Sequence, residues 1–300
     1  MAITLKWAPQ SGLDSIEIYR GDKRLDESAP GAPKATLPGD AVEYVDEDVV
    51  ENSNYFYTVV AVKAGNRTFS APRCIPYLSK WGPSDPSSMT PRGDMDAAYL
   101  CYLPNNMLTD PAGLWAMLPE ASAITKGTWT TWLKFIYNGK ILFVPNAAAG
   151  LAAMTASWNQ LNAAGLLFGE DNPDKLPAWA AAGVKHKKII AIGENEYIVR
   201  VMRLSNEPFG TFLTSQAQCA GSEFHSTLAR FIKMSLVGAA AQPFALPRFL
   251  HNTGYGCIGP HLAEATKVAT CQVAAPEVLN TTVLLTAATQ PVQLVLELIP

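Results

Sequence analysis

Phe249, His251, Asn252, Tyr255 and His261 fall close together, and the same stretch holds Gly254-Tyr255-Gly256-Cys257-Ile258-Gly259. Aromatic, imidazole and amide groups on a long loop are the usual means of presenting a ligand surface. These five residues are therefore the candidates for contact with a sugar or a host protein. The glycines also fit G-x-G-x-x-G, a spacing that lets backbone approach a dinucleotide pyrophosphate when a strand precedes it and a helix follows. Arg248 to Thr253 is not an apolar strand, and Pro260-His261 comes next. No βαβ unit frames the motif, so it reads as a tight, backbone-packed loop.

Other reactive residue types are scattered. His186 and His225 stand far from the loop histidines, and no H-E-x-x-H or carboxylate at ligand spacing accompanies any of the four. Ser222 and His225 lie one helical turn apart without a G-x-S-x-G, and a capping role accounts for Ser222. Cys74, Cys101, Cys219, Cys257 and Cys271 are odd in number and never spaced C-x-x-C, which points to reduced thiols made in a cytoplasm. Asp94 and Asp96 could meet a cation, but nothing nearby completes a site. Glu194 and Glu196 fall on a turn. The expectation is no catalytic residue, no metal and no cofactor, hence no enzyme.

Composition narrows the partners. Only 16% of residues are charged, the net charge is −3, and 48% are apolar. The lysines at 185, 187 and 188 form a short run beside His186, with no basic stripe of the kind that neutralises phosphates. No nucleic acid is expected. No N-terminal signal pattern and no membrane-spanning run is read, since Pro243, Pro247 and Arg248 interrupt the most apolar stretch. A weakly charged surface rich in Ala, Thr and Pro fits a protein that packs against copies and partners.

The elements that would hold these residues begin with short alternating strands. Ile3–Trp7, Ser15–Arg20, Val42–Val45 and Asn54–Val62 are apolar–polar runs broken by Pro9, Gly12, Gly21-Asp22 and Gly65-Asn66. Short strands at this spacing predict an antiparallel sandwich. The segments Leu5-Lys6-Trp7, Ile16–Arg20 and Tyr55–Val62 resemble strands B, C and F of a fibronectin type III domain. The resemblance covers about residues 2–75. It matches Trp7 to the core tryptophan and Tyr55 to the tyrosine corner, while the first strand of the family is short or missing, so the domain would borrow an edge.

Pro76, Pro83, Pro86 and Pro91 mark residues 76–125 as a connector, with a strand at Ala97–Leu103 and a short helix from Pro111 capped by Asp110. Arg92-Gly93-Asp94 lies within it; three residues match an integrin motif too easily to carry an adhesive reading. Residues 126–300 then read as α+β with a mainly antiparallel sheet. Asn138-Gly139 turns one hairpin, and Ser157-x-x-Gln160 opens a short helix that Gly165 closes. Gly193–Glu196 turns a second hairpin. Ser222 caps a helix buried through Phe224, Leu228, Phe231, Ile232 and Leu236.

The order of segments Trp132–Val144, Ser157–Gly169, Tyr197–Leu204, Gly221–Phe224 and Val295–Ile299 resembles bacteriophage tail and virion structural proteins. Their domain is similar to the C-type-lectin and formylglycine-generating-enzyme fold. Phe224 and Gln293 depart from that pattern, where Trp and Arg are usual, and no catalytic cysteine pair is matched. The resemblance implies a virion protein, assembled in the host cytoplasm, of the tail, baseplate or fibre attachment. Its partners would be copies of itself and other virion proteins, without membrane insertion. A host-receptor (glycan) adhesin or a capsid decoration protein is the alternative, with a host surface receptor as the added partner.

Overall fold

The computed structural model describes residues 2–84, 92–146, 154–231, 256–272, 279–284 and 289–300. The chain divides into two compact units. One holds Met1–Lys80 with Gly93–Ala97 and Pro300; the other holds Trp81–Arg92 with Ala98–Ile299. Both are built of β-sheets that are mostly antiparallel. Residues 76–125, read above as a connector, are shared between the two units and supply ordered strands.

The first unit opposes two sheets. One is β1 (Ile3–Lys6) paired with β4 (Glu43–Asp46). The other is five-stranded and built from β2 (Ser15–Gly21), β3 (Ala35–Pro38), β5 (Ser53–Lys63), β6 (Asn66–Phe69) and β7 (Arg73–Tyr77). The long β5 pairs with β2 along one edge; along the other, β7 takes its first half and β6 its second. Ser70-Ala71-Pro72 is where that outer strand breaks, as expected because proline has no N–H for the ladder. Alternate residues Ile3 and Leu5 meet Ile16, Ile18 and Tyr57 in the core, which is the period-two pattern at work. Trp7 stands partly buried at its edge and donates its indole N–H to Ala41 O at 2.8 Å.

A buried carboxylate pins the back of this core. Asp46 accepts from Tyr57 Oη at 2.8 Å and from Arg20 Nη1 at 2.9 Å. Burial and the hydrogen bond to Asp46 push the Tyr57 hydroxyl pKa well up. Nearby, Tyr55 Oη accepts the Val50 N–H at 2.7 Å, tying the loop before β5 to its first turn of residues. Tyr55→Phe keeps the ring beside the Arg20 guanidinium and removes only that bond. A loss of about 1 kcal/mol in the unfolding of this unit is expected, read from the urea midpoint.

The second unit centres on a sheet of order β13-β14-β19-β11-β10-β9. Its strands are β9 (Ala97–Pro104), β10 (Thr131–Tyr137), β11 (Lys140–Asn146), β13 (Lys188–Ile192), β14 (Asn195–Val201) and β19 (Leu294–Leu298). The short β8 (Arg92–Asp94) has two of its three residues in the first unit. Asn138 and Gly139, both at positive φ, turn β10 into β11. Gly193 and Glu194 alone turn β13 into β14, since Ile192 already pairs with Asn195; the expected four-residue turn is two residues shorter. β10 and β11 are buried on both faces, because the sheet is covered on both sides. One face carries Trp132, edge-on to Trp129 and hydrogen-bonded to Thr109 O, beside α1 (Pro111–Ala116). The other carries Phe135 against Tyr99 and Phe231.

Two of the three caps read from the sequence form on α-helices. Asp110 accepts from Gly113 N at 2.7 Å at the start of α1. Ser157 and Gln160 form the reciprocal capping box of α2 (Trp158–Ala163). Gly165 ends α2 at φ +72°, where an added Cβ would lie 2.1 Å from Lys185 O, so glycine is required twice over. The element after Ser222 differs from a plain α-helix. Residues His225–Ala229 form a π-helical turn, and Ser222 Oγ accepts from His225 N at 3.2 Å; Ile232 and Leu236 lie outside the described residues. Smaller sheets complete the unit: β12 (Thr155–Ala156) with β18 (Gln290–Pro291), and β15 (Gly256–Glu264) with β16 (Lys267–Gln272) and β17 (Leu279–Leu284). No helix among the described residues is long and apolar enough to cross a membrane.

Candidate functional site

Of the five loop candidates, Phe249, His251, Asn252 and Tyr255 lie outside the described residues. His261 is placed, and not on a ligand-facing loop. It sits inside β15, fully buried, with its ring 5.7 Å from Phe209. Its Nε2 is 3.0 Å from Glu207 O; a carbonyl only accepts, so Nε2 carries the proton. Nδ1 has no hydrogen-bond partner among the described residues. Burial pulls the imidazole pKa down to about 4, so the ring is neutral at pH 7. His186 is likewise buried, edge-on to Phe168, with its pKa lowered by burial.

Other candidates find partners within the fold. The cation that meets Asp94 and Asp96 is Arg24, at 3.0 and 3.1 Å. No group of three or more His, Cys, Asp or Glu able to hold a metal exists among the described residues. Cys74 and Cys219 are buried, and burial pushes the Cys74 thiol up to about 12, far from a reactive thiolate.

The strongest electrostatic centre was not picked out from the sequence. Arg200, next to last in β14, is fully buried. Its Nη1 and Nη2 donate to the two oxygens of Glu223 at 2.8 and 2.6 Å, and its Nε and Nη2 donate to Glu297 Oε2 at 2.9 and 2.7 Å. Lys140 reaches the other Glu297 oxygen at 2.5 Å, and Arg203 N donates to Glu223 Oε1 at 3.1 Å. Two cations face two carboxylates, so the cluster is internally neutral. Burial raises the Glu297 pKa by itself, but Arg200 and Lys140 outweigh it and bring the carboxyl down to about 2. Burial pulls Arg200 down, and Glu223 and Glu297 more than reverse it. Gly169 passes so close that an added Cβ would lie 2.5 Å from Arg200 Cδ; that is why the chain needs glycine there.

The signal was present. Arg200 and Glu297 are opposite charges, each next to last in its strand and flanked by apolar residues, and Glu223 lies within the Gly221–Phe224 segment. A charge on a strand buried on both faces demands a partner. Lys134 is a second case. Its amine donates to Pro83 O at 2.9 Å, and burial brings its pKa down to about 8.

An accessible feature lies in the first unit. A groove of about 600 Å³ runs beside β1, floored by Leu5, Leu13, Ile16, Tyr57, Val59 and Ile75. Its lining holds Lys6, Lys63 and Arg73 but no Asp, Glu, His or Cys. Its polar groups are amines, a guanidinium, hydroxyls and an amide.

No family model matches the chain, and no solved structure matches it significantly. Among curated proteins, an amylopullulanase of Thermoanaerobacter thermohydrosulfuricus is 39% identical over 69 residues, 23% of this chain. The match spans only 5% of that protein's length, so its activity does not carry over with it.

Proposed function

We propose that this chain is a bacteriophage virion structural protein of the tail, baseplate or fibre attachment, working through protein–protein packing. One observation carries the reading. Three of the segments that resemble virion proteins, Tyr197–Leu204, Gly221–Phe224 and Val295–Ile299, each bring one member of the buried Arg200–Glu223–Glu297 cluster. What they have in common is a device that fixes a fold. Its charges are spent on one another, with none left to work on a substrate. The first unit is read as a fibronectin type III-like module, supported by the Tyr55–Val50 tie and by Trp7 at the core edge. The second is read as C-type-lectin-like. Particles of the phage that encodes the chain test this directly: mass spectrometry should find it in repeated, fixed copy number. Its absence from purified particles would reject the reading.

A glycan-binding adhesin is the second reading. It is favoured by the stacked Trp179 and Phe212 rings, 5.3 Å apart and 14° from parallel, with Phe212 exposed. Glycan-array binding that is abolished in Trp179→Ala at unchanged Tm would select it.

A further inference from the structure

Four consecutive residues, Thr4, Leu5, Lys6 and Trp7, line the groove in the first unit, and no β4 residue does. Side chains of a strand alternate between faces, so a surface touching every residue in turn runs along the strand's edge. The opposite wall is Thr68, Phe69, Ser70, Ala71, Arg73 and Ile75, where β6 breaks into β7. Among the described residues β1 pairs only with β4, so its second edge faces this groove with no described strand beside it. A two-stranded sheet opposite five strands leaves apolar floor that another strand would cover. An edge protected against pairing is blunted by charge or bulges and lies over no apolar trough. Here the trough is open.

We propose that this edge is a strand-addition site, and that its occupant is an extended segment of a partner protein with alternating apolar and acidic residues. Main-chain bonds to β1 would give affinity, and the floor would take the apolar side chains. The charge follows from the rim. Lys63 and Arg73 are exposed and make no ion pair among the described residues, Lys6 holds only an exposed contact with Glu43, and no acidic group lines the groove. β1 is 4 residues long, so the paired stretch spans about 13 Å at 3.3 Å per residue. This rests on the reading that the chain acts by packing against other proteins.

The probe is a ten-residue peptide alternating valine and glutamate, with a valine–lysine peptide as control, added to the full chain. The acidic peptide should bind about tenfold more tightly than the basic one and slow hydrogen exchange at amides 4 and 6, which point away from β4. In Lys63→Glu/Arg73→Glu that preference should invert. Equal binding of both peptides by the wild-type chain, or protection elsewhere than β1, overturns the proposal. So does protection of the same amides that rises with protein concentration alone, which would assign the edge to a second copy. A reversed-charge variant that enters particles normally but also binds the acidic peptide normally sinks the strand-addition site and leaves the virion reading intact. Absence of the chain from particles sinks that reading while the peptide result stands.

Discussion

Arg200→Met is expected to lower the stability of the second unit by about 3–5 kcal/mol, seen as a fall in the urea midpoint at unchanged slope. The reason is what remains. Glu223 and Glu297 would stay within the core, with only Lys140 reaching Glu297 from the side and the Arg203 N–H reaching Glu223. An uncompensated carboxylate in a low-dielectric interior costs far more than the lost attraction. The triple change Arg200→Met, Glu223→Leu, Glu297→Leu should recover most of the loss, because an apolar core of similar volume has no desolvation to offset. A loss under about 1 kcal/mol in the single variant would mean that water reaches these carboxylates and that the cluster does not fix the fold.

Local signals were legible wherever the physics is local. The Asn138-Gly139 turn, the Asp110 and Ser157 caps and the Gly165 stop each depend on a few neighbouring residues, and each forms as read. The period-two runs of residues 3–62 likewise place Ile3, Leu5, Ile16 and Ile18 in a core. What escaped depends on distance. Arg200 and Glu297 lie 97 residues apart, and no window on either strand reveals the other. His261 looked exposed because glycines and polar residues surround it in sequence, yet β15 carries it inside against Phe209. The π-helical turn after Ser222 was read as α-helix because the apolar stripe Phe224, Leu228, Phe231 satisfies both. The groove beside β1 is a property of a missing neighbour, and periodicity describes only strands that are present.

Acid should unfold the second unit in two stages. His261 binds its proton at about 4 when folded, against an ordinary value of 6.5. Between these values the unfolded chain holds a proton that the folded chain refuses, so stability is full above 6.5 and falls as pH drops to 4. The fall from this group is at most about 3 kcal/mol. Arg203, stacked over Phe209, adds a like charge that opposes protonation. Glu297 acts at lower pH. Its folded value of about 2 lies below the ordinary 4.5, so its contribution is present above 4.5 and is lost as pH falls towards 2, by a similar amount. Urea titrations from pH 7 to pH 3 should show both limbs. His261→Gln can keep a donor towards Glu207 O but does not titrate, so it should shrink the limb between 6.5 and 4 to the part that buried His186 supplies and leave the lower one. A curve already flat above pH 4.5 in the wild-type chain, or a limb unchanged in His261→Gln, would place that imidazole in water and undo the buried-core assignment of β15.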